Sequence, residues 1–160
     1  MVRAEPLARC RAAAQPGAWP REHFLRALEI VSERAPVEIV LFGAVSERDI
    51  LEEAIAGCRA PCKLLPGTLN IRALAAFIGK CSAALVMDSG PRHLANAVGT
   101  PVVFGRNLIF SRVEAGRYCD NEIDCGPEEE YVPPQDVARI IDKLDPARTA
   151  GFVIEALNRR

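Results

Sequence analysis

The sequence predicts an α/β fold in which helices flank a parallel β-sheet, and three features of the chain support this fold class. From residue 20 onward, helix-like and strand-like segments alternate at a step of about twenty residues, as in parallel βα units. The clearest predicted strands are apolar throughout, which is typical of strands that are covered on both faces. The 160 residues, 49% of them apolar, are enough for one domain with a sizeable core and too few for two ordinary ones. We therefore expect a single α/β domain over residues 1–160.

The first half of the chain contains predicted elements that start and stop at recognisable residues. Pro20 and Pro36 bound a first helix, in which Phe24, Leu28 and Val31 form one apolar face. Ser46 is the expected cap of the next helix, and Asn70 or Thr68 the expected cap of the third. The elements that follow the first helix are a strand at 37–43, a helix at 46–58, a strand at 62–65 and a helix at 70–81.

The second half begins with a regular strand, helix and strand and then loses its periodicity. A strand is predicted at 83–87, a short helix at 91–98 that stops at Gly99, and a strand at 101–104. Residues 105–134 show no clear period and predict a long loop. Residues 135–160 predict two closing helices.

Charge and cysteine usage exclude several classes of function. A formal net charge of −1, from 20 basic and 21 acidic residues, lacks the excess of basic residues expected of a nucleic-acid-binding protein. No apolar run approaches the ~20 residues that span a bilayer, and the amino terminus lacks the apolar core of a signal peptide, so we expect a cytoplasmic protein. The six cysteines form no CxxC pair. We therefore expect reduced thiols and no metal, with a disulfide or metal site at Cys119 and Cys125 as the alternative.

The stretch "VMDSGPRHLANAVGTPVVF" at 86–104 places polar groups where a buried strand meets a helix. In an open parallel sheet, ligands bind outside the carboxyl ends of the strands. Gly90 lets the backbone turn tightly and approach a ligand, and the helix that starts near Pro91 directs N–H groups of Ser89, Gly90, Arg92 and His93 to the same place. These features predict an anion site. The alternative is that Asp88 or Ser89 only caps the helix, that Arg92 is solvated and that His93 packs against the protein.

Four segments resemble glycosyltransferase family 9, the ADP-heptose:lipopolysaccharide heptosyltransferases. "DSGPRHLANAVGTPVV" resembles the family's Asp-Ser/Thr-Gly-x-x-His-Leu-Ala-x-Ala-x-Gly-x-Pro motif. "LLPGTLNIRALAAFIGKCSAALVMD" is similar to its Leu-Pro-Gly-x-x-x-Leu-x-x-Leu-Ala run, and "IVLFGAVSERD" to its Gly-x-x-x-Glu segment. "PGAWPREHFLRAL" resembles the entry to the family's carboxyl-terminal domain. The resemblance covers about residues 16–105.

The resemblance implies the GT-B fold, in which two Rossmann-like domains face each other across a cleft, and it matches only the second, donor-binding domain. It implies no metal or cofactor, and a nucleotide-diphosphate sugar as substrate. The family's catalytic carboxylate lies in the other domain, so we expect no catalytic residue here and a need for a separate amino-terminal half or acceptor-binding protein. The inner-membrane surface is then a possible location. The resemblance implies donor contacts from Glu47 to the nucleoside, from Leu64 to Gly67, including Leu65, along the base, and from Asp88, Ser89, Gly90 and His93 at the diphosphate and sugar. Gly43 and Pro91 belong to the same expected donor-binding set.

Three departures from the family pattern matter for this interpretation. Ala18 stands where the family has a Lys or Arg before its Trp-Pro pair, so we expect Arg92 or Arg106 to supply the charge instead, unless each is merely an exposed arginine. "ARCRAAAQ" forms strands poorly, so residues 1–16 are expected to be irregular and the sheet either to lack an edge or to begin irregularly. "FGRNLIF" replaces a Phe-Gly-Pro-Thr turn.

The expected function is donor binding in a sugar transferase that acts on a lipopolysaccharide or other glycan acceptor. The alternatives are a non-catalytic nucleotide- or phosphate-binding module, and a remnant without a working site.

Overall fold

The computed structural model describes residues 2–4, 20–65, 67, 69–129, 131–141 and 144–159. Within these residues, six short strands form one sheet in the order β3-β2-β1-β4-β5-β6, and neighbouring strands pair in parallel. The predicted fold class is therefore confirmed. The strands are β1 (Val2–Ala4), β2 (Ile39–Leu41), β3 (Cys62–Leu64), β4 (Ala83–Met87), β5 (Val102–Gly105) and β6 (Glu122–Asp124).

Helices cover both faces of this sheet. One apolar cluster joins Leu28, Val153 and the strand residue Leu85, and a second cluster on the opposite face joins Ile78, Ala95 and Val86. The alternation of Leu85 and Val86 between the two clusters is the period of a strand buried on both sides. The helices are α1 (Arg21–Arg34), α2 (Arg48–Gly57), α3 (Ile71–Ile78), α4 (Gly90–Ala97), α5 (Arg112–Ala115), α6 (Val137–Ile141) and α7 (Pro146–Leu157), with 3₁₀ turns at Val45–Glu47 and Pro134–Asp136.

The strand order contains one reversal, and its position locates the crevice of the fold. The chain moves outward from β1 through β2 to β3, and then returns to the other side of β1 to form β4 and continue outward. Doubly wound sheets bind ligands outside the carboxyl ends of their strands at such a reversal. The crevice of this domain therefore lies where β1 and β4 end, next to Asp88, Ser89 and Gly90.

Two of the expected boundaries were wrong. Residues 1–16 are not irregular throughout, because Val2–Ala4 forms β1, which lies in the middle of the sheet and pairs with Ile39–Leu41 and Ala83–Leu85. Residues 105–134 are not a structureless loop, because they contain α5 and β6. Pairing with neighbouring strands supplies the backbone hydrogen bonds that keep both short strands in place.

The helix caps agree with the sequence in two places and differ in one. The Asn70 side chain accepts from the Ala73 N–H at 3.0 Å, and Gly99 adopts a φ of 71° after α4, as expected for a helix stop. Ser46 does not cap the second helix. Instead, the Glu47 carboxylate accepts from the Ala44 N–H at 2.7 Å and closes the turn that leads into α2.

Candidate functional site

The junction between β4 and α4 presents an open helix terminus. Ser89 is extended, with φ −159° and ψ 179°, and α4 begins at Gly90 without a side-chain cap. The Ser89 hydroxyl donates to the Met87 carbonyl at 3.2 Å, so the alternative in which Ser89 caps the helix is wrong. Gly90 is exposed, and a Cβ atom placed on it would meet no atom of the described residues within 4 Å. As far as the described residues define it, the space in front of the first turn is open to a ligand.

The Arg92 N–H is not one of the donors available at this terminus. It donates to the Ser89 carbonyl at 3.0 Å and so belongs to the first turn itself. Position 90 does not require glycine for a left-handed backbone conformation, because among the described residues only Gly99 has a positive φ. The open space at Gly90, rather than backbone strain, is what favours a ligand here.

The Arg92 side chain is an internal anchor of this junction. Its guanidinium is 1% exposed and donates to both oxygens of Glu122 at 2.6 and 3.0 Å, and to Asp88 Oδ1 at 2.7 Å. It also lies 3.6 Å from the centre of the Phe104 ring. The Arg92 side chain is therefore not solvated, and its partners fasten α4 to β5 and β6, which argues against a direct role as a phosphate ligand.

Glu122 is the buried partner of this anchor. Its side chain is fully buried and also accepts from the Asn96 side chain at 2.7 Å and the Tyr118 N–H at 2.9 Å. Burial alone would raise the pKa of this carboxyl, but the hydrogen bonds from Arg92, Asn96 and Tyr118 outweigh it and leave the pKa below its usual value. Glu122 is therefore held as a carboxylate.

His93 lies on the exposed side of α4 and pairs with Tyr118. The two rings stack with centroids 5.6 Å apart, and His93 Nδ1 contacts the Tyr118 hydroxyl. That hydroxyl also accepts from the Asn96 amide at 2.8 Å. Tyr118 is 55% exposed, so this pair lies at the surface of the domain.

Sequence reasoning missed both Tyr118 and Glu122 because they lie in the segment expected to be a loop. The sequence does contain one signal of a polar cluster at this junction. Asp88, Arg92 and Asn96 recur at intervals of four, so they lie on one face of a helix and its entry turn.

Arg106 also has its partners within the protein. It is fully buried, pairs with Asp124 at 3.3 Å and donates to the backbone carbonyls of Pro127 and Glu129 at 3.2 and 2.6 Å. These contacts satisfy the guanidinium and argue against the expectation that Arg106 compensates for the missing cation. Ala18 and Trp19, where that cation was expected, lie outside the described residues.

A cavity of about 310 Å³ opens at the carboxyl ends of β2 and β3. Leu65 and Gly67, two of the predicted base-binding residues, form part of its wall. A Cβ atom on Gly67 would lie 2.8 Å from the Gly43 carbonyl oxygen and from Val45 N, so only glycine allows the two loops to approach this closely. The lining consists of Ala44, Arg48, Leu51, Glu52, Leu64, Leu65 and Gly67.

The predicted residues therefore fall into two groups on one edge of the sheet. Gly43, Glu47, Leu65 and Gly67 lie at the ends of β2 and β3, and Asp88 to His93 at the end of β4. Only β1 separates β2 from β4, which puts these two strands about 10 Å apart. Glu47 does not line the cavity but holds the loop beside it, through the hydrogen bond to Ala44.

Neither a metal centre nor a membrane span was found in the described part of the chain. No group of three or more His, Cys, Asp or Glu side chains there is arranged to hold a metal ion. Of the helices that the structure describes, none has both the length and the apolar composition needed to cross a bilayer. The five cysteines that the structure describes are free, so Cys119 and Cys125 do not form a disulfide.

Comparison with curated proteins finds lipopolysaccharide heptosyltransferases. Lipopolysaccharide heptosyltransferase 3 of Escherichia coli is 27% identical over 152 residues, which is 83% of this chain and 44% of that protein. The lipopolysaccharide core heptosyltransferase OpsX of Haemophilus influenzae is 38% identical over 60 residues, covering 38% of this chain and 17% of its own length. The chain thus spans less than half the length of these relatives.

Solved structures show the same fold. A family 9 glycosyltransferase from Veillonella parvula superposes with a TM-score of 0.76 at 17% identity, over 100% of this chain and 46% of that one. E. coli heptosyltransferase WaaC, solved with ADP, gives a TM-score of 0.71 at 19% identity, over 97% of this chain and 44% of its own.

A family model describes the relationship most directly, and it confirms the resemblance found in the sequence. The model for glycosyltransferase family 9 (heptosyltransferase) matches residues 7–106, which include the cavity lining and the whole β4–α4 junction. More than half of the chain is therefore covered, and the chain belongs to glycosyltransferase family 9.

Proposed function

We propose that this domain binds the nucleotide-diphosphate sugar donor of a heptosyltransferase-like enzyme. The observation that supports this best is the shared position of two features: the cavity beside Leu65 and Gly67 and the open first turn of α4 lie on the same sheet edge, on either side of β1. A nucleotide has an apolar base at one end and charged phosphates at the other. The cavity offers an environment for the base, and the first turn of α4 offers one for the phosphates.

The cavity suits the nucleoside end of such a donor. Its volume of about 310 Å³ lies at the lower end of the range for small-molecule sites. Leu51, Leu64 and Leu65 provide apolar surface for a base, while Arg48 and Glu52 provide polar groups at the rim. Arg48 and Glu52 pair with each other at 2.8 Å on exposed side chains, so the pair is able to open and contact a ribose or base.

The open terminus of α4 suits the diphosphate. The positive end of the helix dipole and the exposed backbone at Gly90 attract an anion without any arginine. His93 adds an exposed imidazole whose Nδ1 contacts the Tyr118 hydroxyl, so Nε2 is the ring nitrogen that would contact a ligand. Pro91 contributes no N–H and serves to start the helix.

Asp88 is unsuited to act as the base that deprotonates an acceptor. Its Oδ1 accepts from the buried Arg92 guanidinium at 2.7 Å, so this oxygen is already engaged within the protein. We therefore expect the 160-residue chain to bind a donor but not to transfer sugar by itself. Sugar transfer by the purified chain alone, increasing with time, would contradict this expectation.

Calorimetric titration with ADP, adenosine and inorganic diphosphate tests the proposal. ADP is the probe because the similar WaaC structure contains it. We expect Gly90→Val to lower the affinity for ADP at least tenfold, since a β-branched side chain would occupy the space in front of the turn, and to leave adenosine binding unchanged. Gly57→Val is the matched control, because Gly57 also lies at a helix end, is exposed and has nothing within 4 Å of a Cβ atom placed on it.

The outcomes separate the alternatives. Loss of ADP affinity in Gly90→Val but not in Gly57→Val supports the phosphate assignment. Equal ADP affinity in both variants, with native far-UV circular dichroism, overturns that assignment. Absence of binding by the unmodified chain would indicate a remnant without a working site.

A further inference from the structure

Two cysteines flank the turn that joins α2 to β3, at the opposite end of these elements from the cavity. Cys58 follows the last residue of α2 and Cys62 begins β3. The two Sγ atoms lie 3.8 Å apart, and the Cys62 thiol donates to the Cys58 sulfur. Both side chains are partly exposed, whereas Cys81 and Cys125 are buried. The turn therefore holds two thiols in contact with each other and within reach of solvent.

The surroundings make the two thiols unequal. The hydrogen bond from Cys62 lowers the pKa of Cys58 to about 7, helped by the Ala60 N–H and opposed by partial burial. The same contact, together with burial, raises the pKa of Cys62. Among the described residues, Glu29 is the charged group whose field reaches the pair; its carboxylate accepts from the Arg59 N–H at 3.0 Å, and its negative charge raises both pKa values. Cys58 is therefore the thiol that ionises first.

We propose that Cys58 and Cys62 form a thiol-modification site that reacts with low-molecular-weight disulfides, and that Cys58 is the attacking thiol. The Cys58 thiolate attacks one sulfur of glutathione disulfide, breaks its S–S bond and releases one glutathione thiolate. Cys62 then transfers its proton to the released glutathione thiolate. The resulting Cys62 thiolate attacks Cys58 Sγ and releases the second glutathione, also as a thiolate, which takes a proton from solvent. Two protein thiols are oxidised to one disulfide, and one glutathione disulfide is reduced to two glutathione molecules.

The geometry favours the second step. The sulfur atoms need to move from 3.8 Å to about 2 Å, a shift within the reach of side-chain rotation in a turn. The pair also closes only a short loop, so little chain has to be reordered. The proposal does not depend on donor binding, because neither cysteine lines the cavity.

The size of the expected rate effect follows from the pKa of Cys58. Near pH 7, a thiol with a pKa of about 7 is about half ionised, against about 3% for an ordinary thiol. That difference gives about fifteenfold more thiolate, and the lower nucleophilicity of a less basic thiolate removes about fivefold. Cys58 should therefore react about threefold faster than it would without the Cys62 donor.

Trypsin allows the product to be identified directly. The chain is cleaved after Arg48, Arg59 and Lys63, so Cys58 and Cys62 fall in the separate peptides 49–59 and 60–63. After treatment of the folded chain with glutathione disulfide, mass spectrometry should find these two peptides joined by a disulfide. In Cys62→Ser, glutathione should instead remain on Cys58, because no second thiol can displace it.

Two comparisons keep the proposal falsifiable. Cys62→Ser retains a hydrogen-bond donor and Cys62→Ala does not, so the serine variant should be glutathionylated about threefold faster near pH 7. Cys119, another partly exposed free thiol, is the internal control for exposure alone. The proposal is overturned if the 49–59 and 60–63 peptides are not joined, if Cys119 reacts as fast as Cys58, or if the two Cys62 variants react at the same rate.

Discussion

Replacing Glu122 by glutamine should destabilise the domain by about 3–5 kcal/mol, the range for removing one partner of a buried ion pair. The Glu122 carboxylate accepts from Arg92 Nε and Nη2, from the Asn96 amide and from the N–H groups of Tyr118 and Cys119. A glutamine offers one oxygen and turns an NH₂ group toward donors that need an acceptor. The Arg92 charge would remain buried with only Asp88 to balance it. Since small domains have about 5–15 kcal/mol of stability, this loss is a large share of the total.

Urea unfolding followed by circular dichroism measures this effect. With a urea dependence of about 1–3 kcal/mol per molar, the midpoint for Glu122→Gln should fall by about 1–5 M. Glu53→Gln is the matched control, because the Arg21–Glu53 pair spans 3.2 Å but the Glu53 side chain is 67% exposed, so its loss should cost below about 1 kcal/mol. If the two variants unfold at the same urea concentration, the Arg92–Glu122 pair does not stabilise the β4–α4 junction.

Three further measurements test other features. Gly67→Ala should lower the free energy of unfolding by about 1–3 kcal/mol, because its Cβ atom would lie 2.8 Å from three backbone atoms. Gly151→Ala, in an open position within α7, should raise the free energy of unfolding by about 0.5–1 kcal/mol. Equal urea midpoints for the two variants would contradict the close approach at Gly67. Glu29 and Glu122 have lowered pKa values in the folded state. The stability that they provide is therefore present above their unfolded pKa values of about 4.3 and is lost as the pH falls through their folded pKa values. The loss of stability measured below about pH 4 should be smaller in Glu122→Gln than in the unmodified chain. Arg106→Ala should lower the urea midpoint and leave the ADP affinity of the folded protein unchanged; a tenfold loss of affinity without a stability change would show that Arg106 contacts the ligand after all.

The elements that the sequence predicted well are those whose local signals agree with their packing. Strand β4 is a continuous apolar run, and α3 begins at an asparagine whose side chain caps it. The strands that sequence reasoning missed, β1 and β6, have three residues each and contain Arg3 and Glu122. Neither is an apolar run. Each is a strand because the neighbouring strands hydrogen-bond to it, which is a property of the whole sheet.

The position of the candidate site was predictable, while the roles of its arginines were not. A polar turn after a buried parallel strand indicates the ligand edge from the sequence alone. Whether an arginine at that edge faces the ligand or the core depends on acids that are distant in the chain. Glu122 follows Arg92 by 30 residues, and Asp124 follows Arg106 by 18. No local pattern links these pairs. The spacing of four between Asp88 and Arg92 is a local signal, but it does not reveal Glu122, and Arg106 has no comparable signal.

The burial of Arg92 changes how the polar motif at 88–93 works. Its residues divide by direction: Gly90 and His93 face the open edge, while Arg92 and the Asp88 oxygen bonded to it belong to the internal network. Because the guanidinium joins α4 to β6 through Glu122 and packs on Phe104 of β5, the first turn of the helix is fixed before any ligand arrives. A terminus held in this way does not have to lose conformational freedom when an anion binds, which raises affinity without adding a contact. Arg92 would then favour phosphate binding by holding backbone donors in place, and the attraction itself would come from the helix terminus and His93.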